Sequence, residues 1–175
     1  AASADKLVLG DPLSADTQVG PLIRPVEVAR VGEWVSEAIE DGARCVVGGE
    51  PVSECAYACT VLDDPPPHAR VSRMEIFGPV VCVYGYDTLD EAVARANDIP
   101  FAFQAAVYTA DLDRAIRAFE SFDASAVMVN DHTAFRTDGM PFAGLRQSGL
   151  GVGGVPRSIE EMQVAKMMVV NNAHA

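Results

Sequence analysis

Apolar positions along the chain recur at two periods, and the alternation between them predicts the elements. Val28, Val31, Val35 and Ala38 return at intervals of three and four, with Pro25 at the head and Gly42 just past the end. That spacing predicts a helix over Pro25–Asp41 with one buried stripe. Arg44–Val47 and Thr60–Leu62 are short runs closed by Gly48-Gly49 and by acidic and proline residues, and they predict strands. Val80–Tyr84 is an unbroken apolar run, the pattern of a strand buried on both faces. Thr88 and Glu91 form a capping box ahead of Leu89, Ala92, Val93 and Ala96. Ala105–Tyr108 predicts the next strand, and Asp111 caps a helix whose stripe is Leu112, Ala115, Ile116 and Phe119. Ala126–Val129 predicts a further strand.

Strand, helix, strand, helix, strand with connections of a few residues predicts an α/β fold. Its sheet is open and mostly parallel, flanked by helices through right-handed crossovers. Such sheets bind ligands beyond the carboxyl ends of their strands. The segment leaving the Ala126–Val129 strand, Asn130 to Arg136, crowds polar, ionisable and aromatic groups at that place. Six glycines between Gly139 and Gly154 exclude a long helix there and imply backbone packed close to a neighbour. A last helix is expected from near Pro156, with Ser158 and Glu161 as a second capping box. Lys166–Val170 is a β-prone terminal strand, expected to be paired, with another subunit as one option, rather than lie as a bare edge.

Composition narrows the function. A chain of 175 residues with 49% hydrophobic and 22% charged residues has the material for one globular core. Its net charge of −12 repels phosphate backbones, so nucleic acid is not an expected partner. No apolar run approaches the roughly 18 residues of a membrane helix, and Ala1–Gly10 lacks a signal-peptide pattern. A cytoplasmic protein is expected. Cys45, Cys55, Cys59 and Cys82 form no CxxC pair, and His68, His132 and His174 lie far apart, so neither a metal site nor a disulfide is expected.

The Glu75–Pro79 stretch, Glu-Ile-Phe-Gly-Pro, holds candidate chemistry. A carboxylate there can accept hydrogen bonds from the vicinal hydroxyls of a ribose, and the phenyl beside it offers a surface to a flat ring. Taken alone, the stretch reads first as a surface glutamate and a core phenylalanine. Four stretches in order change that weighting: Asp11 to Ile23, Glu75 to Val80, Ala126 to Asn130, and Pro141 to Gly149. Together they resemble the C-terminal part of the NAD(P)-dependent aldehyde dehydrogenase superfamily, over essentially the whole chain.

The resemblance implies oxidation of an aldehyde to an acid through a thiohemiacetal on a nucleophilic cysteine, hydride transfer to NAD or NADP, and hydrolysis of a thioester. It implies that Glu75 holds the nicotinamide ribose and that Phe77 lies against the nicotinamide ring. Asn130 then ends the strand whose following loop walls the aldehyde pocket, and Phe142 lines that pocket. Residues 1–165 correspond to part of a catalytic domain, and 166–175 to an oligomerisation strand and tail of a homo-oligomer, a dimer or tetramer.

The departures from the family pattern matter as well. The family's nucleophile stands in a Gly-Gln-x-Cys-like context that none of the four cysteines shares. The general-base glutamate and the glycine-rich cofactor turn have no counterpart either, so an isolated chain of this kind is expected to be inactive. Phe101-Ala-Phe-Gln104 stands where the family has a Tyr-Gly-Leu-like turn, and Ala143 where it has glycine. The pocket-wall loop resembles the one in phosphonoacetaldehyde and lactaldehyde dehydrogenases. Arg136 offers a planar fork for phosphonate, phosphate or carboxylate, His132 and Thr133 add donors, and Phe135 belongs to the same wall. The competing reading pairs Arg136 with Asp131 or Asp138 at the surface. Two other functions stay open at this level: a non-catalytic relative acting as a binding or oligomerisation partner, and an α/β module with a reactive thiol of its own.

Overall fold

The valine stripe at three- and four-residue spacing becomes the centre of a core. In a computed structural model describing residues 1–171, helix α1 spans Pro25–Glu40 and buries Val28, Val31, Val35 and Ala38, as its period predicts. Val31 and Val35 lose all their exposure, each contributing about 1.5–3 kcal/mol. They pack with Ala43, Tyr57, Leu62 and Ala69. The chain divides into two units between Asp87 and Thr88, and this core belongs to the first.

Three strands complete that unit: β1 (Arg44–Val47), β2 (Thr60–Asp63) and β3 (Val80–Val83), with a single-turn helix α2 (Arg70–Arg73) between the last two. The order is β1-β2-β3. β1 runs antiparallel to β2, and β2 runs parallel to β3 in register from Thr60↔Val80 to Asp63↔Val83. The expectation that β3 is buried on both faces is corrected. Val80 and Cys82 pack on the α1 cluster, whereas Val81 and Val83 are 58% and 46% exposed. α1 covers one side of the sheet, and an apolar run does not say which of its faces has a cover.

The second unit holds α3 (Leu89–Asn97), β4 (Phe101–Ala102), β5 (Gln104–Val107), α4 (Leu112–Ser121), β6 (Ala126–Val129), β7 (Leu145–Arg146) and α5 (Val155–Glu161). β5 and β6 pair in parallel from Gln104↔Ala126 to Val107↔Val129, and β4 pairs antiparallel with β7. The class is α/β with mixed sheets. Two of the three predicted caps form: the Thr88 hydroxyl accepts the Glu91 amide at 3.2 Å, and the Asp111 carboxylate accepts the Arg114 amide at 3.1 Å. Asp111→Ala should therefore cost about 1 kcal/mol, read as a lower denaturant midpoint at unchanged slope.

Two expectations are corrected here. α4 buries Ala115 and Ala118, while Leu112, Ile116 and Phe119 of the predicted stripe stay 73%, 47% and 64% exposed. Small side chains permit the close approach, so the buried edge of α4 is its alanine edge. α5 starts at Val155 after Gly154, with Pro156 in its first turn, so Ser158 lies inside the helix and caps nothing. Residues 163–171 form no ladder within the described chain, and Val164 and Met167–Val170 are 74–92% exposed. His174 lies outside the described residues.

Candidate functional site

The Glu75–Pro79 loop leads into β3 and is held from three sides. The Arg30 guanidinium donates to the Ile76 carbonyl at 2.6 Å. Gly78 sits so close to α1 that a Cβ would lie 2.8 Å from a methyl of Val31, which only glycine avoids. The Pro79 carbonyl accepts the Thr60 amide at 2.8 Å, joining the loop to β2. Between these anchors Phe77 adopts φ +48°, a left-handed backbone that a bulky side chain takes at a cost of about 1–3 kcal/mol. The residue is 71% exposed. A strained and exposed phenylalanine is not a core residue, so the bland reading of this stretch fails at Phe77. Glu75 is exposed and makes no hydrogen bond or ion pair with any described residue. Its carboxylate is free to accept hydroxyls from a ligand.

Beside Phe77 lies a shallow cavity of about 290 Å³ lined by Leu22, Ile23, Glu27, Arg30 and Phe77. Hydrogen bonds from Arg30 and Arg24 hold the Glu27 carboxyl below its ordinary range.

At the other candidate site, Asn130 follows β6 directly, as expected of the residue that ends that strand. Its amide donates to the Val107 carbonyl at 2.8 Å, and its side chain grips Thr109 from both sides, accepting its amide at 2.8 Å and donating to its carbonyl at 2.9 Å. Asn130 takes φ +58°, a conformation asparagine tolerates and one that turns the chain sharply into the loop. One side chain thus clasps the carboxyl ends of both parallel strands of this unit.

Of the predicted wall residues, Arg136 and Phe142 come together. The guanidinium carbon sits 4.1 Å from the centroid of the Phe142 ring. That ring meets Phe103 edge-on, centroids 4.8 Å apart at 80°, and the Phe142 backbone exchanges two hydrogen bonds with Gly153. Arg136 has no carboxylate partner among the described residues, so neither Asp131 nor Asp138 neutralises it. His132 is tied to its neighbour: its amide donates to Asp131 at 2.7 Å, and its Nε2 lies 3.8 Å from the same carboxylate. Thr133 is exposed, and Phe135, 44% exposed, donates its amide to the His132 carbonyl. Ala143 has no positive φ, so the departure from glycine costs the backbone nothing.

Two residues outside the sequence prediction belong to these sites. Phe103 carried a signal, because it stands in the turn that departs from the family pattern. Arg30 carried none, since it lies 46 positions from Ile76. The four cysteines are free, and burial pushes the Cys82 thiol up. Among the described residues no group of histidine, cysteine or acidic side chains has a metal-binding arrangement. Among the described residues no helix is long and apolar enough to cross a membrane.

The aldehyde dehydrogenase family model matches residues 1–168. The chain is 39% identical over 167 residues to the 3-sulfolactaldehyde dehydrogenase of Priestia aryabhattai, covering 95% of this chain and 35% of that protein. It is 32% identical over 167 residues to the sulfoacetaldehyde dehydrogenase of Neptuniibacter caesariensis, covering 95% and 36%. Among solved structures, aldehyde dehydrogenase 21 of Physcomitrella patens in complex with the reaction product succinate superposes at a TM-score of 0.93 and 35% identity, over 99% of this chain and 36% of that one. The glyceraldehyde-3-phosphate dehydrogenase of Methanocaldococcus jannaschii complexed with NADP gives 0.87 at 31% identity, over 92% and 35%. The chain spans about a third of the length of the curated relatives it matches.

Proposed function

Because the chain belongs to the aldehyde dehydrogenase family, we propose that the whole protein oxidises a small anionic aldehyde to its acid with NAD or NADP as acceptor. The observation that carries the substrate class is the unneutralised guanidinium of Arg136 on the Phe142 ring. A ring face holds the cation without quenching it, leaving its N–H donors for a sulfonate, phosphonate or carboxylate. Relatives named for sulfolactaldehyde and sulfoacetaldehyde support the same chemistry. His132, Thr133 and Phe135 complete the wall of the pocket in this reading.

Glu75 and Phe77 fit the cofactor the family implies: an unpartnered carboxylate two positions before a strained, exposed ring. Glu75 holds the ribose hydroxyls and Phe77 limits how the nicotinamide lies. NAD or NADP, when bound, supplies the hydride acceptor. The nucleophile is not one of the four cysteines in this reading. Cys59 is buried, and the Cys45 thiol is occupied by the Val47 and Gly48 carbonyls at 3.5 and 3.6 Å. The Cys82 thiol, raised by burial, donates to the Val71 carbonyl, and Cys55 lacks the Gly-Gln-x-Cys-like context of the family's nucleophile, so an isolated chain is inactive. The exposed Lys166–Val170 stretch serves as the oligomerisation strand of a dimer or tetramer, and the free thiols suit a reducing cytoplasm.

In the whole enzyme, Arg136→Ala should raise KM about tenfold for a sulfonate- or carboxylate-bearing aldehyde and leave KM for a neutral aldehyde of similar size nearly unchanged. Equal losses on both substrates would remove the anionic assignment.

A further inference from the structure

We propose that Arg30 is a positioning residue for hydride transfer, acting through the backbone of the Glu75–Pro79 loop on the ring of Phe77. The proposal rests on the reading of Phe77 as the nicotinamide-facing ring and adds a residue that no motif marks.

Arg30 is fixed before it reaches the loop. Its Nε donates to the Glu27 carboxylate at 2.7 Å, and Glu27 is itself held by Arg24 at 3.0 Å. The guanidinium lies over the Trp34 ring, 4.8 Å from its centroid. Side-chain exposure is 27% for Arg30 and 19% for Glu27, so both are largely withdrawn from water. With the Nε and the ring face committed, the remaining Nη2 donates to the Ile76 carbonyl at 2.6 Å. That carbonyl belongs to the peptide joining Ile76 to Phe77, whose orientation sets the φ of Phe77. A left-handed phenylalanine persists only where its surroundings over-determine it, and this hydrogen bond is the only polar side-chain contact on that peptide among the described residues. Gly78 against Val31 holds the other side of the ring-bearing residue by shape.

Hydride transfer is sensitive to placement. A displacement of about 1 Å from a group remote from the chemistry can cost on the order of 100-fold in rate. Losing the Ile76 contact lets the peptide relax toward an ordinary negative φ and swings the Phe77 ring. The expected loss therefore falls on the hydride step, not on cofactor affinity.

The experiment uses the whole enzyme with Arg30→Met, which keeps an unbranched apolar stem near Trp34 and removes the donor. Phe77→Leu and the double variant accompany it. Equilibrium binding of reduced cofactor is read from nicotinamide fluorescence, and the hydride step from the isotope effect with aldehyde deuterated at the carbonyl carbon. Arg30→Met should lower kcat about tenfold, raise the isotope effect, and change the cofactor Kd by less than about threefold. The double variant should be no worse than Phe77→Leu alone. Arg30→Lys, able to donate one bond, should recover part of the rate. If Arg30→Met does not fold, Glu27→Ala, which frees the guanidinium to drift, takes its place with the same pattern expected. An unchanged isotope effect, or losses that multiply in the double variant, overturns the role of Arg30 and leaves Phe77 standing. A Phe77→Leu enzyme indistinguishable from the parent in isotope effect and Kd overturns both.

Discussion

Glu75→Gln in the whole enzyme should slow turnover by about one to two orders of magnitude while shifting cofactor affinity only modestly. The substitution keeps the length and hydrogen-bonding oxygen of the side chain but removes its charge and one acceptor. A carboxylate takes two vicinal hydroxyls at once, and charge-assisted bonds of this type contribute about 1.5–3 kcal/mol each. In the described structure that carboxylate has no protein partner to lose or gain, so no internal ion pair is broken by the change. In the proposed reading the remainder of the dinucleotide is held by the rest of the enzyme, which limits the effect on Kd. The ribose carries the nicotinamide, however, and a ribose held by one bond can pivot. Stopped-flow measurement of reduced-cofactor formation separates the two terms: the hydride step should slow and the Kd should move little. A variant with unchanged turnover and unchanged affinity would make Glu75 a surface residue after all.

The two candidate sites differ in how far the sequence revealed them. α1 was legible to its ends because a three-and-four spacing with proline and glycine at its borders has one physical solution. The caps of α3 and α4 were legible for the same reason, a polar side chain with a single job in reach. The faces were not. Val80–Val83 and the α4 stripe are apolar patterns whose cover depends on what packs against them, and local spacing holds no information about that. Phe77 and Arg136 were legible as residue types in a motif. Their decisive properties, a left-handed backbone and a guanidinium resting on an aromatic ring, come from partners in distant or irregular segments. Arg30 was invisible, since its contact to Ile76 is made by a helix and a loop brought together only by the first unit's core.

Gly144→Ala should be the most damaging single-methyl change in the second unit, costing about 2–3 kcal/mol. Gly144 has an ordinary φ, so the argument concerns space alone. A Cβ built there would lie 2.3 Å from the Ser148 carbonyl oxygen, 2.4 Å from its carbon and 2.7 Å from the Gly149 nitrogen. All three are backbone atoms, and no rotamer change relieves them. The turn from Gly144 to Gly149 has to open instead. Opening it pulls on β7, which pairs Leu145 with Ala102, and on the Ser148 hydroxyl, which accepts the Ala102 amide at 3.0 Å. Arg146 resists, because it donates to the Asn97 and Ile99 carbonyls at 2.7 and 2.8 Å and pairs with Asp123. The strain therefore reaches β4 and the neighbouring Phe103, whose ring supports Phe142 and through it Arg136. A stability loss and a weakened preference for anionic aldehydes should appear together. Ala143→Gly, one position earlier, is the control: it creates no clash and should cost only about 0.5–1 kcal/mol through the freer unfolded chain. Denaturation midpoints of the two variants decide the matter, and equal small shifts would show that the turn yields where the packing says it cannot.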